Sequence, residues 1–160
     1  MILRHHTAFL LTALFVLFFA QPSPGVININ MPVSKIFEAV KAVAVGTVTA
    51  VNAENRVIDL KTADMLKGAP IGETFRVQIA APAELIQKVT VGQPLVIMTG
   101  EDLGKPVALI HVADTWLLAE GLPASTTPAW RVLQTQDAKR SFAGTTAELV
   151  KLLTGLKAGK

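Results

Sequence analysis

Hydrophobic and polar residues alternate along much of the chain after residue 43, with the period of two that is typical of β-strands. Residues 56–63, Arg-Val-Ile-Asp-Leu-Lys-Thr-Ala, are the clearest example. Turn-forming residues at 52–55 separate them from a β-branched run at 44–51, so this region predicts a hairpin. Further strands are predicted over residues 74–80, 95–99, 106–112, 115–119 and 129–135.

Three segments show the apolar spacing of a helix instead. The first covers residues 34–43, with Ser34 as its candidate cap, and the second covers residues 81–89. The third follows Thr145, which with Glu148 forms the sequence signature of a capping box before four leucines at helical spacing.

The order of three strands, a short helix and further strands is that of an OB-type barrel, in which the helix lies between the third and fourth strands. We therefore predict an all-β fold with minor α over residues 44–160: an OB-like barrel of five strands or slightly more, with a C-terminal capping helix. Residues 100–105 are expected to be a polar loop, and residues 21–43 a linker or short helix. The alternative is a β-sandwich without a central helix.

The N-terminus has the layout of a secretory signal peptide. Arg4 precedes an apolar run at residues 7–20, which as a helix spans only about 21 Å against a hydrocarbon core of about 30 Å. Residues 1–20 therefore predict export, with cleavage between residues 20 and 25. An uncleaved membrane anchor is the alternative.

Composition narrows the class of protein further. The chain has no cysteine, so an exported domain must hold together by packing alone, and it has no Asn-x-Ser/Thr sequon. Both features fit a bacterial periplasm or exterior. The net charge of +3 is spread among interspersed acids and bases, which predicts no nucleic-acid partner.

Three motifs resemble the netrin/TIMP-like OB family: residues 45–51 (Val-Gly-Thr-Val-Thr-Ala-Val), 63–68 (Ala-Asp-Met-Leu-Lys-Gly) and 91–97 (Val-Gly-Gln-Pro-Leu-Val-Ile). The resemblance implies a barrel. The cysteines that cross-link that family, and the N-terminal cysteine that TIMP inhibitors place on a protease metal, are missing, which speaks against metalloprotease inhibition.

Residues 112–118 (Val-Ala-Asp-Thr-Trp-Leu-Leu) and 142–146 (Phe-Ala-Gly-Thr-Thr) are similar to head regions that precede FG-GAP/VCBS repeats in secreted bacterial proteins. Here a single C-terminal helix follows in place of a propeller. Neither resemblance implies a catalytic residue.

Few residues carry catalytic chemistry. His111, the only histidine outside the predicted signal peptide, precedes Asp114, and with Ser125 or Ser141 they would make a hydrolytic triad. Glu101 and its neighbour Asp102, together with His111 and Asp114, are candidate ligands for a hard cation. Oxygen-ligand sites need more donors than these residues offer. We predict no metal, no cofactor and no enzyme activity; a hydrolase using His111 and Asp114 is the alternative.

The preferred hypothesis is a non-catalytic binding module of the bacterial cell envelope, whose partner is a protein or a small molecule. By analogy with OB barrels, the ligand would meet residues 46–51, with the 100–105 loop at the rim. Trp116 is expected in the core, and Trp130 in the core or at a contact surface. The candidate ligand-binding residues are Arg56, Arg76, Trp130, Glu101 and Lys105. A structural envelope component without a ligand is a third hypothesis.

Overall fold

In a computed structural model of the chain, the described residues are 30–80, 82–102, 104–120, 130–134 and 137–159. Of Asp102, Glu120, residues 130–134 and Asp137, the backbone alone is described. The predicted signal peptide and its cleavage region lie outside these residues. So does Ser125.

Strands make up most of the described secondary structure. The elements are helix α1 (Val33–Ala39), strands β1 (Ala42–Asn52), β2 (Val57–Lys67) and β3 (Thr74–Ile79), a 3-10 helix (Ala83–Lys88), strands β4 (Pro94–Asp102), β5 (Lys105–Val112), β6 (Thr115–Glu120) and β7 (Trp130–Gln134), a second 3-10 helix (Asp137–Arg140) and helix α2 (Thr146–Ala158).

Six of the strands form one antiparallel sheet in the order β3-β2-β1-β4-β5-β6. Its outer strands, β3 and β6, do not pair with each other. The short β7 pairs antiparallel with β6 and, over Val77–Ile79 only, parallel with β3. The fold is thus mostly β with a C-terminal helix, as predicted.

Several predicted elements are confirmed. The hairpin of β1 and β2 is present, and a short helix, of the 3-10 type, follows β3. In α2, the Thr145 hydroxyl accepts from the Glu148 amide, while the Glu148 carboxylate accepts from the Thr145 amide, which completes the predicted capping box. Trp116 is buried, as expected.

Two predicted boundaries were wrong. The segment at 100–105 is not a loop, because β4 and β5 stay paired as far as Asp102 and Lys105, where a salt bridge from Lys41 to Glu101 ties the hairpin to the start of β1. Helix α1 ends at Ala39 rather than at residue 43, and Pro32 rather than Ser34 takes its N-cap position. The chain turns to extended backbone at Val40 because the following residues pair in β1.

The buried residues form two clusters, one on each face of the sheet. Val48, Leu60, Val77, Ile97 and Ile110 belong to the cluster that includes the first 3-10 helix. The second cluster lies between the opposite face of β4, β5 and β6 and the two α-helices, and it includes Phe37, Met98, Leu109, Trp116, Leu149 and Leu153. Strands β4 and β5 are therefore buried on both faces, which explains their unbroken apolar sequences.

Candidate functional site

A surface groove lies on the solvent face of β1, β2 and β3. The register places Ala50, Asp59 and Arg76 in one row across these strands. A second row two residues along contains Asn52, Val57 and Gln78. Residues two apart on a strand point to the same face, so both rows line one surface. We call this surface, which also includes Val51 and Asn55, the three-strand groove.

The end of the first hairpin contributes Ala50, Asn52 and Asn55 to this groove. The pairing of β1 with β2 shifts register between Val48 and Ala50, and such irregularities bend a strand and increase its twist. The turn that follows is closed by the Asn55 amide, which donates to the Asn52 side-chain oxygen at 2.9 Å. The resulting groove has a volume of about 540 Å³, within the range of about 300–1,000 Å³ seen for small-molecule sites.

Arg76 and Asp59 form a two-pronged ion pair within the groove. Arg76 Nε donates to one Asp59 oxygen at 2.6 Å, and Nη2 donates to the other at 2.9 Å. The hydrogen bonds from Arg76 hold the pKa of Asp59 below its ordinary value, and the same pairing raises the pKa of Arg76. Both side chains are thus charged at neutral pH, and their charges cancel within the groove.

Of the five predicted ligand-binding residues, Arg76 lies in the three-strand groove. Arg56 lies in the adjoining turn, with a positive φ of 53°, and its Nη1 donates to the carbonyl oxygen of Ala80 at 3.2 Å. The backbone of Trp130 is in register with Val77, while its side chain lies outside the described part of the structure.

Glu101 and Lys105 lie elsewhere, on the hairpin of β4 and β5. Strand β4 pairs with the first half of β1, and Glu101 lies beyond Thr99, the partner of Ala42. The groove is at the other end of β1, at residues 50–52. The five predicted residues therefore do not form one site.

Sequence reasoning missed Asp59, Gln78, Asn52 and Asn55. The signal for Asp59 and Gln78 was present, because alternation placed each on the polar face of its strand. What the sequence does not show is the register of β2 against β3, which brings Asp59 opposite Arg76 and is a property of the paired strands rather than of either segment alone.

His111 and Asp114 both contact Thr146, at the start of α2. His111 is 1% exposed, and its Nδ1 lies 3.0 Å from the Thr146 hydroxyl oxygen, which also accepts from the Asp114 amide at 3.1 Å. The Asp114 carboxylate in turn accepts from the Thr146 amide at 2.7 Å. Because the Asp114 amide already donates to the hydroxyl, that hydroxyl is free to donate its own proton to a neutral His111.

The surroundings of His111 are otherwise apolar. Its ring packs edge-on against Trp116, with 4.7 Å between the ring centroids, and Trp116 Nε1 donates to the carbonyl oxygen of Phe142 at 2.8 Å. Burial lowers the pKa of His111 to about 4, although the nearby Asp114 carboxylate acts in the opposite direction. His111 is therefore neutral at physiological pH.

A cleft of about 300 Å³ adjoins this contact, between the β5–β6 turn and the first residues of α2. Of the predicted triad, Asp114 lines this cleft, and its amide and carboxylate are both hydrogen-bonded to Thr146. The described residues contain no group of three or more His, Asp or Glu side chains that would hold a metal ion. Among the described helices, none is both long and apolar enough to cross a membrane.

The class that these observations define is a mostly β domain with a polar groove on its sheet and a buried histidine beneath its C-terminal helix. Comparison of the chain with protein-family models, with curated proteins and with solved structures gave no match. The resemblances to netrin/TIMP-like domains and to FG-GAP/VCBS head regions stay predictions.

Proposed function

We propose that this protein is a non-catalytic binding module, and that the three-strand groove is its ligand-binding surface. The observation that carries the proposal is the juxtaposition, across three neighbouring strands, of a charged pair and amide side chains around a concave surface. Polar groups on rigid strands are held in fixed positions, as recognition of a ligand requires.

The same proposal includes an OB-like barrel as the fold of this module. An OB-like barrel would need the sheet to close, and the pairing of β7 with both β3 and β6 supports that arrangement. In OB barrels the strands 2–3 face and the adjoining loop between strands 1 and 2 bind ligands, which corresponds to the position of the groove. This correspondence is an analogy of fold and carries no ligand identity.

The location of the protein is a second part of the proposal. The apolar run at residues 7–20 behind Arg4 supports export to the bacterial envelope. Expression of the full chain with a C-terminal tag, followed by cell fractionation and mass measurement, tests it. Recovery from the periplasm with a new N-terminus between residues 20 and 25 would support export, whereas an intact chain in the cytoplasm would contradict it.

The positions of His111 and Asp114 argue against the alternative of a hydrolase that uses these two residues. His111 is enclosed, and Asp114 is bonded to the backbone of α2, so both have structural roles that explain their presence. A hydrolase that used His111 would lose its activity in His111→Asn. We expect that variant to be folded, less stable and unchanged in its ligand affinity.

The binding proposal is tested by comparing a blocked groove with an unblocked one. Ala50 is exposed in the first row, so Ala50→Trp would fill the groove, and Ala158→Trp at the exposed end of α2 is the matched control. Titration of the isotope-labelled protein with soluble oligosaccharides, uncharged peptides and lipid vesicles, followed by amide chemical shifts, gives the readout. Binding that shifts groove amides and disappears only in Ala50→Trp is expected. Equal binding by the two variants would refute the proposal.

A further inference from the structure

The three-strand groove is electrically neutral but strongly polar. Its lining contains one acid and one base, Asp59 and Arg76, together with the amide side chains of Asn52, Asn55 and Gln78. An anionic ligand would approach the Asp59 carboxylate, and a cationic ligand would approach the Arg76 guanidinium. A neutral ligand avoids both repulsions.

The ion pair keeps hydrogen-bonding capacity on its outer side. Arg76 uses Nε and one Nη2 proton toward Asp59. Its Nη1 makes no hydrogen bond to the described residues, and each carboxylate oxygen retains a lone pair. The two side chains are 43% and 32% exposed, so these groups are accessible. Donors and acceptors therefore lie side by side in a geometry that the pair itself fixes.

A hydroxyl group donates and accepts at once, and two hydroxyls on adjacent carbons lie a hydrogen-bond length apart. One of them would donate to Asp59 while its neighbour accepted from Arg76. The amide of Gln78 offers a further donor and acceptor two residues along β3. A chain of hydroxylated rings thus matches the lining better than a ligand that only donates or only accepts.

The backbone of the groove is not available to an extended peptide. Residues 57–61 of β2 lie between β1 and β3, so their amides and carbonyls belong to the sheet. Peptides that add a strand need an unpaired sheet edge. The groove lies across strand faces, where side chains must make the contacts.

We propose, on the basis of the binding function above, that the groove binds a neutral polyhydroxylated ligand, a segment of uncharged glycan, and that the Arg76–Asp59 pair holds two of its neighbouring hydroxyl groups.

The test is a titration of the isotope-labelled protein with defined compounds. The neutral glycans are chitotetraose, cellotetraose and maltotetraose; dextran sulfate and an acetylated, amidated Ser-Gly pentapeptide represent the other ligand classes. We expect at least one neutral glycan to shift the amides of the groove strands. Asp59→Ala and Arg76→Lys, which loses the planar fork, should each weaken its affinity about tenfold. Gln87→Ala, an exposed change outside the groove, should leave it unchanged.

The outcomes separate the ligand class from the binding function. If the peptide or the polyanion shifts the groove amides and no neutral glycan does, the glycan assignment is wrong while the groove remains a binding site. If no class of compound shifts them, the assignment and the proposed binding surface both fail. Glycan binding that persists in Asp59→Ala and Arg76→Lys would overturn the role of the ion pair.

Discussion

Acidification should destabilise this protein through a single histidine. His111 is the only histidine after His6, so in a processed chain it is the only imidazole. In the folded protein burial lowers its pKa from 6.5 to about 4, whereas in the unfolded chain the ring is in water and keeps its ordinary value. Between these two values the unfolded state binds the proton first. The folded state therefore loses stability as the pH falls through this window.

The size of the effect follows from the two pKa values. One unit of pKa difference corresponds to about 1.4 kcal/mol. The contribution of neutral His111 to the free energy of unfolding is therefore fully present above about pH 6.5, and about 3 kcal/mol of it is lost below pH 4. At pH 5 the loss is about 2 kcal/mol by the same relation. That is a large part of the about 5–15 kcal/mol by which domains of this size are usually stable.

The assay is urea unfolding at a series of pH values, with His111→Asn as the reference. The Asn side-chain oxygen can accept from Thr146 in place of Nδ1, but it does not titrate, while every carboxyl group is common to both proteins. Between pH 7 and pH 5, the wild type should lose about 2 kcal/mol more than the variant. Parallel pH dependences, or an imidazole that titrates near 6.5 in the folded protein by NMR, would refute the assigned burial of a neutral ring.

Three further changes should alter the free energy of unfolding, measured by urea denaturation. Thr145→Ala removes the capping box and should cost about 1 kcal/mol, whereas Thr145→Ser should retain most of the stability. Gly68→Ala should cost about 3 kcal/mol, because φ is +76° and the new methyl would clash with the backbone of Lys41. Gly72→Ala is the control, with positive φ but open space, and should cost about 1 kcal/mol. Equal costs for the two variants would contradict this account. Lys67→Met removes the ammonium group that donates to three carbonyl oxygens at the end of α1, and it should cost about 2 kcal/mol. An unchanged free energy of unfolding would show that these bonds do not stabilise the fold.

The sequence predicted the elements whose local signals agree with their final environment. Strand β2 alternates because one of its faces is buried and the other meets solvent, and α2 begins at the residue that its capping box indicates. The boundaries failed where distant contacts decide them. Nothing local to Glu101 shows that Lys41, sixty residues earlier, would hold the end of β4 in place.

The candidate site was predicted only in part for the same reason. Arg76 could be selected as a cation on an exposed strand face, but its partner is seventeen residues away and depends on register. The β1 side of the groove is harder still to predict, because the pairing of β1 with β2 contains three irregularities before Ala50 comes opposite Asp59. Conversely, Glu101 and Lys105 were selected as loop residues, and they lie in paired strands remote from the groove.

The distribution of apolar residues nevertheless explains why the groove lies where it does. Strands β4 and β5 have continuous apolar sequences because α1 and α2 cover the face that would otherwise meet water. Strand β3 and the first part of β2 alternate, so no helix is needed over their outer face, and polar side chains can gather there. The helices thus leave uncovered the part of the β1–β2–β3 face that forms the three-strand groove. His111 belongs to the covered side and Arg76 to the open side, which is why we assign stability to the former and recognition to the latter.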